Sequence, residues 1–257
     1  MKCVILAGGR GTRISEESHL RPKPMIEIGG RPILWHIMKT YSHHGVTDFI
    51  VCLGYRGYII KEYFFNYFLH NADVTIDVAA NRIEYHDSRA EPWRVTLVDT
   101  GEATLTGGRV LRVGAYLDQD EPFFLTYGDG LADVDISAQA DFHRSNDRLV
   151  TMTVVRPPAR FGTSVVDDDR VVAFEEKPQA REGLINGGFF VLSPGALDYI
   201  DGDNTPWETE PLRRLVADDQ LGAWRHDGFW QPMDTLRERE LLESLWHDGT
   251  APWRIWE

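Results

Sequence analysis

The chain has 257 residues, 42% hydrophobic and 26% charged, an ordinary globular balance that excludes a disordered or fibrous chain. Against 27 Lys and Arg stand 40 Asp and Glu, and the formal charge of −13 argues against non-specific binding to DNA, RNA or anionic lipid. Two cysteines, Cys3 and Cys52, exclude a disulfide framework and are too few for a thiolate metal site; each lies in an apolar run and reads as a reduced core residue.

The chain opens Met1-Lys2-Cys3-Val4-Ile5-Leu6 and breaks at once into Gly8-Gly9. That run is too short for a secretory leader or a membrane span, so a cytoplasmic protein with no membrane or nucleic-acid partner is expected. Lys2 to Leu6 reads as a buried strand. Arg31 to His44 reads as a helix, because Ile33, Leu34, Ile37, Met38 and Tyr41 recur at three-to-four spacing. Asp48 to Leu53 is the next strand, and Tyr58 to Leu69 an aromatic-rich helix. Strands over Val95 to Val98, Pro122 to Thr126 and Leu149 to Val155 then alternate with helices over Gly108 to Leu117 and Ile136 to Ser145, the last capped by Asp135. Such alternation predicts right-handed βαβ units. Beyond Arg160 the texture changes. Val165-Val166 and Val171 to Phe174 flank the acidic turn Asp167-Asp168-Asp169-Arg170 as a hairpin, Ile185 to Leu192 is a strand, and Leu236 to Trp246 a terminal helix. The expected fold is α/β and Rossmann-like. It has a mixed, mostly parallel sheet flanked by helices, a smaller β-rich section and a C-terminal helix. Ligands in such folds sit beyond the carboxyl ends of the strands.

The first strand runs into Leu6-Ala7-Gly8-Gly9-Arg10-Gly11-Thr12-Arg13, where glycines let backbone N–H groups approach an anion and two arginines add charge. It lacks the Gly-Lys-Ser/Thr ending of a P-loop, and Ile14 stands where the dinucleotide pattern needs its last glycine. Pro22 and Pro24 stiffen the backbone around Lys23, which suits a fixed phosphate contact; taken alone, Lys23 also fits a surface lysine. Asp129, between Gly128 and Gly130 just after a strand, is well placed to hold Mg²⁺ beside a nucleotide, or else belongs to an Asp-Gly turn. Asp234 is a second candidate carboxylate, or a helix N-cap. Glu176-Lys177-Pro178 sets another lysine before proline, and Asn186-Gly187 offers an amide and exposed backbone to sugar hydroxyls. The nine histidines carry no metal signature, and His43-His44 reads as surface or capping. No pattern for a covalent nucleophile is present. Six tryptophans from Trp207 to Trp256 suggest core or subunit contacts.

The run Ile5 to Arg13 followed by Pro22-Lys23-Pro24 resembles sugar-phosphate nucleotidylyltransferases. The stretch Ile14 to Leu20, lacking a Pro–Thr element, resembles one branch, the glucose-1-phosphate cytidylyltransferases. The likeness continues through Gly54-Tyr55-Arg56-Gly57-Tyr58, Thr106-Gly107-Gly108-Arg109, Tyr127-Gly128-Asp129-Gly130, Ile185 to Phe190 and Gly228 to Thr235, and reaches Ala251-Pro252-Trp253. The resemblance implies that CTP and α-D-glucose 1-phosphate give CDP-glucose and pyrophosphate with Mg²⁺, for deoxysugar and O-antigen-type polysaccharide synthesis, in a homo-oligomer, a hexamer. It implies one nucleotidyltransferase domain over 1–257, with residues 1–155 mainly nucleotide-binding and 156–257 sugar-binding, metal-completing and oligomerising. Leu6, Ala7, Gly8, Gly9, Arg10, Gly11, Thr12, Arg13, Lys23, Thr104, Arg109 and Gly128 are then the nucleotide site. Arg13, Lys23 and Lys177 are catalytic, Asp129 and Asp234 hold Mg²⁺, and Glu176, Lys177, Asn186 and Gly187 bind the sugar phosphate. Arg109 is expected to donate to cytosine O2 or N3.

Three other readings remain: the same transfer from UTP or dTTP, a metal-dependent glycosyltransferase, and a silent nucleotide-sugar sensor. A glycosyltransferase needs an Asp-x-Asp motif, which Asp133-Val134-Asp135 fits in letters but places past the strand end. A sensor is expected to have lost a metal carboxylate or the phosphate lysine.

Overall fold

A computed structural model of the chain describes residues 1–9, 11, 21–157, 163–167, 170–175 and 183–256. Its centre is a seven-stranded sheet of β1 (Cys3–Leu6), β2 (Asp48–Leu53), β3 (Arg94–Asp99), β4 (Phe123–Tyr127), β5 (Val150–Val155), β6 (Ile185–Leu192) and β7 (Leu221–His226). Their spatial order is β7-β5-β6-β4-β1-β2-β3. β1, β2, β3 and β4 pair in parallel, as do β5 and β7, while β6 runs antiparallel to both β4 and β5. The sheet is therefore mixed and mostly parallel. β1 is buried on both faces: Cys3 and Ile5 join one core, Val4 and Leu6 the other. That double burial is why its sequence is a continuous apolar run. Both cysteines are free and buried, and burial pushes both thiols up, Cys52 to about 12.

The flanking helices are α1 (Ile33–His43), α2 (Gly57–Phe65), α3 (Thr106–Arg112), α4 (Ile136–Ser145), α5 (Glu210–Ala217) and α6 (Leu236–His247). α1 buries the five apolar residues that its periodicity singles out. Asp135 caps α4 by accepting from Ala138 N–H at 2.8 Å. Two helices differ from expectation. α2 stops at Phe65, and a separate turn covers Tyr67–His70. α3 begins at Thr106 and ends at Arg112, with Gly114–Tyr116 forming a 3₁₀ turn instead of more α-helix. The glycines that weaken α3 as a helix serve packing. A Cβ on Gly107 would lie 2.6 Å from Thr205 O, and one on Gly108 2.6 Å from Asp203 Cα, so the backbone of 203–205 rests on this turn.

The acidic hairpin forms as expected, Thr163–Asp167 against Arg170–Glu175. A hairpin of Asp73–Asp77 with Arg82–His86, the pair Gly130–Ala132 with Trp230–Pro232, β7 and α5 are additional. Trp207 and Trp253 are fully buried, and Trp35, Trp246, Trp253 and Trp256 surround His36 with ring centroids 4.7–6.2 Å away. Among the described residues, no helix is long and apolar enough to cross a membrane.

Candidate active site

β1 and β4 are register partners, with Leu6 beside Tyr127, so the loops that follow them leave the sheet together. A cavity of about 610 Å³ opens there. Leu6, Ala7, Gly8, Gly9 and Gly11 form one wall, and Lys23, Thr104, Arg109 and Gly128 complete it. A second cavity, of about 750 Å³, is lined by Asn186, Gly187 and Trp230. Tyr127, Asp129 and Asp234 line both cavities and form the wall they share.

Lys23 sits at that wall. Pro22 and Pro24 shape the 3₁₀ turn Lys23–Met25, and the lysine is only 7% exposed. Its Nζ donates to Asp129 Oδ2 at 2.7 Å and to Asp234 Oδ1 at 2.6 Å. Burial works against the ammonium, but the two carboxylates outweigh it and hold the Lys23 pKa above its usual value. The cation expected for phosphate and both carboxylates expected for a metal thus form one constellation.

The short pair Gly130–Ala132 with Trp230–Pro232 brings the carboxylates together, and Met233 N–H donates to Asp129 O at 2.8 Å. Asp234 does not cap α6. Thr235 caps it, accepting from Glu238 N–H at 3.3 Å, while Glu238 Oε2 accepts from Asp234 N–H at 2.7 Å and Thr235 N–H at 2.9 Å. This capping box holds the Asp234 backbone while its side chain reaches Lys23.

The glycine loop is braced from beneath. Leu6 O accepts from Gly128 N–H at 3.0 Å, and Ala7 N–H donates to Cys52 O at 3.0 Å. Arg109, 5% exposed, donates from Nη1 to Leu53 O at 2.9 Å and Thr100 Oγ1 at 2.7 Å, and from Nη2 to Gly8 O at 3.2 Å. Burial lowers its pKa. A Cβ on Gly8 would collide with this guanidinium. Thr104 is also buried in this wall. Asn186 Oδ1 accepts from Gly188 N–H at 2.8 Å, its Nδ2 lies 3.5 Å from Tyr127 Oη, and Gly187 O accepts from Trp230 Nε1 at 2.6 Å. Arg10, Thr12, Arg13, Glu176 and Lys177 lie outside the described residues.

Tyr127 and Glu238 were not among the expected site residues. Tyr127 ends a parallel strand, where the strand-end rule points, and Thr235-x-x-Glu238 spells a capping box. Asp133 lies 3.0 Å from His226 Nε2, and Asp135 caps α4; neither lines either cavity, which removes the Asp-x-Asp motif of a glycosyltransferase. Lys23, Asp129 and Asp234 are all in place, unlike in the expected sensor. Among the described residues, no group of three or more His, Cys, Asp or Glu is placed to hold a metal.

The family model described as nucleotidyl transferase matches residues 2–232. The glucose-1-phosphate cytidylyltransferase of Salmonella typhi is 58% identical over 257 residues, covering 100% of both chains. The mannose-1-phosphate guanyltransferase of Saccharomyces cerevisiae is 29% identical, covering 95% of this chain and 66% of that protein. In fold, the inositol-1-phosphate CTP transferase from T. maritima matches with a TM-score of 0.63 at 15% identity, covering 95% of each chain. The chain belongs to the nucleotidyl transferase family, and within it to the glucose-1-phosphate cytidylyltransferases.

Proposed function

We infer that the protein catalyses nucleotidylyl transfer from CTP to α-D-glucose 1-phosphate, releasing pyrophosphate. A sugar-phosphate oxygen bonds to the α-phosphorus of CTP, and the bond from that phosphorus to the pyrophosphate oxygen breaks. The observation that carries this is the wall shared by two cavities, where one buried ammonium and two carboxylates stand together. Two polyanionic substrates need fixed positive charge between them. The sugar phosphate is already an anion at neutral pH, so positioning and electrostatics are the demands on the protein.

We assign the cavity under the glycine loop to CTP and the cavity at Asn186 and Gly187 to the sugar. Lys23 offsets charge on the phosphates. Arg13 and Lys177 are assigned to the leaving pyrophosphate and the sugar phosphate, and Glu176 with Asn186 to sugar hydroxyls. Two carboxylates already gathered around one cation are hard oxygen donors, which fits Mg²⁺; Asp129 and Asp234 would hold it, with phosphate oxygens and water supplying the other ligands. When bound, Mg²⁺ neutralises developing phosphate charge.

We assign Arg109 to shaping the base pocket through the loop it braces, as well as to the cytosine edge. Gly8→Ala, by displacing that guanidinium, is expected to raise KM for CTP about tenfold with smaller effect on KM for the sugar, by loss of one or two hydrogen bonds to a charged group. Steady-state kinetics with each substrate varied check this, and unchanged KM for CTP would show that the brace is dispensable.

We read residues 1–257 as one domain, with the nucleotide-binding part in 1–155. A cytoplasmic homo-oligomer, hexameric by family resemblance, fits the apolar surface around the Asp73–Asp77 hairpin, where Phe65 and Val78 are 88% and 87% exposed. The test of function is pyrophosphate release from a panel of CTP, UTP, dTTP and GTP crossed with hexose 1-phosphates. CTP with glucose 1-phosphate should be preferred; preference for UTP or dTTP would overturn the nucleotide assignment.

A further inference from the structure

Glu208 has no part in the roles assigned above. It lies on the exposed turn before α5, yet its carboxylate receives two short hydrogen bonds from separate elements. Tyr127 Oη donates to Oε1 at 2.6 Å, and Thr106 Oγ1 donates to Oε2 at 2.7 Å. Thr106 Oγ1 in turn accepts from Trp207 N–H at 2.8 Å, and Trp207 is fully buried, so the backbone just before Glu208 is anchored. The Trp207 ring meets Phe190 edge-on at 5.9 Å, and Phe190 meets Tyr127 edge-on at 6.2 Å.

The two hydroxyl residues that Glu208 holds span the site. Thr106 lines the nucleotide cavity, and Tyr127 lines both cavities. The phenol oxygen lies 3.5 Å from Asn186 Nδ2, on the sugar side. The Tyr127 ring also fills the space beside Gly188: a Cβ there would lie 2.6 Å from Tyr127 Cδ2, and φ is +81°. The ring therefore bounds the sugar cavity on the face nearest the nucleotide. Burial first, and the Glu208 charge second, push the phenol pKa up, so it remains a neutral donor.

We propose that Glu208 is a positioning residue for the transfer: it anchors the phenol of Tyr127 and so sets how the sugar phosphate sits against the nucleotide. Its reach to Thr106 ties that position to the nucleotide cavity. The proposal rests on the assignment of the two cavities to CTP and glucose 1-phosphate. A charged acceptor is the strong choice for two hydroxyls at once, because hydrogen bonds to an ionised group are about twice as strong as neutral ones. Holding an exposed turn in place needs no such group, since the buried Trp207 already does so.

The experiment compares Glu208→Ala, Glu208→Gln, Tyr127→Phe and the double variant Glu208→Ala/Tyr127→Phe, with both KM values, kcat and Tm measured. Glu208→Ala is expected to raise KM for glucose 1-phosphate about tenfold and KM for CTP less than about threefold, as fits the loss of a hydrogen bond to a charged group. Glu208→Gln, which keeps an acceptor for the phenol, should recover most of this. The double variant should be no worse in sugar KM than Glu208→Ala alone, since both changes act through one oxygen. If Glu208→Ala does not fold, Tyr127→Phe carries the same split, since it removes the phenol's bond to the carboxylate and leaves the turn itself unchanged. Equal rises in both KM values, an unchanged sugar KM, additive losses in the double variant, or a fall in Tm with neither KM changed would each overturn the proposal. Wild-type protein that releases no pyrophosphate from CTP and glucose 1-phosphate would instead overturn the assignment of function.

Discussion

Replacing Lys23 by methionine is expected to lower kcat/KM about 10²–10³-fold, the loss seen when one preorganised donor to a developing charge is removed. Methionine keeps most of the stem volume and removes only the ammonium. That ammonium touches both Asp129 and Asp234, at 2.7 and 2.6 Å. Without it, two carboxylates face each other beside the phosphates of two anionic substrates. The charge of the site then moves by one unit in the unfavourable direction, and each substrate phosphate that enters meets that less favourable field. Both KM for CTP and kcat should change, because the charge acts in the bound state and as the α-phosphorus changes partners. Lys23→Arg should rescue poorly, since a planar fork does not fit the slot of a compact ammonium between two Asp side chains. Circular dichroism should show a folded chain, because the two carboxylates retain some contact with water, at 36% and 22% side-chain exposure. Near-normal kinetics in Lys23→Met would remove the shared-wall constellation from the mechanism.

Acid is expected to destabilise the fold from pH 6.5 down towards pH 4, with the loss beginning before the carboxylates as a class are protonated. His36 and His143 are both buried, and burial lowers each pKa from 6.5 to about 4. His36 Nε2 lies 2.8 Å from Ile28 O, and Trp253 Nε1 donates to its Nδ1 at 3.4 Å, an arrangement that needs a neutral ring with its proton on Nε2. His143 bridges Thr151 Oγ1 at 2.9 Å and Ser193 Oγ at 3.1 Å. In the unfolded chain both rings take a proton below pH 6.5; in the folded chain they do so only near pH 4. The unfolded state therefore binds more protons in this window, and stability present above pH 6.5 is lost as pH falls. At His36, the more deeply enclosed ring, a gap of about 2.5 pH units is worth up to about 3 kcal/mol at 1.36 kcal/mol per unit, and His143 contributes less because solvent screens it more. Urea midpoints measured from pH 7.5 to 4.5 should fall steeply, and less steeply in His143→Gln. A flat profile down to pH 5 would show that neither ring is held neutral by the fold.

The elements legible in the sequence are those whose own residues carry the burial. β2 matches the apolar run Asp48 to Leu53 end for end, and α1 follows its periodic face. The hairpin Asp73–Asp77 with Arg82–His86 was not legible, because Ile76, Ile83 and Tyr85 stay about half exposed and are interleaved with acids and polar residues. Trp230–Pro232 is three residues long and ends in proline, so nothing local marks it as a strand. Asp129 and Lys23 were readable from glycine and proline neighbours. Their mutual contact was not, since the partners are 106 and 211 positions apart. Arg109 was readable as part of the pocket, but its bonds to backbone carbonyls leave no trace in side-chain pattern.

The short strand Trp230–Pro232, which leads into Asp234, has a consequence for biosynthesis. Lys23 and Asp129 emerge from the ribosome long before Asp234, and chains fold from the N-terminal side as they are made. A nascent chain paused before Trp230 can build β1 through β6 but holds only one of the two acidic partners of its lysine. Under the roles proposed for Asp129 and Asp234, turnover is expected to begin only once translation has passed Asp234, and a product terminated before it is expected to be inert.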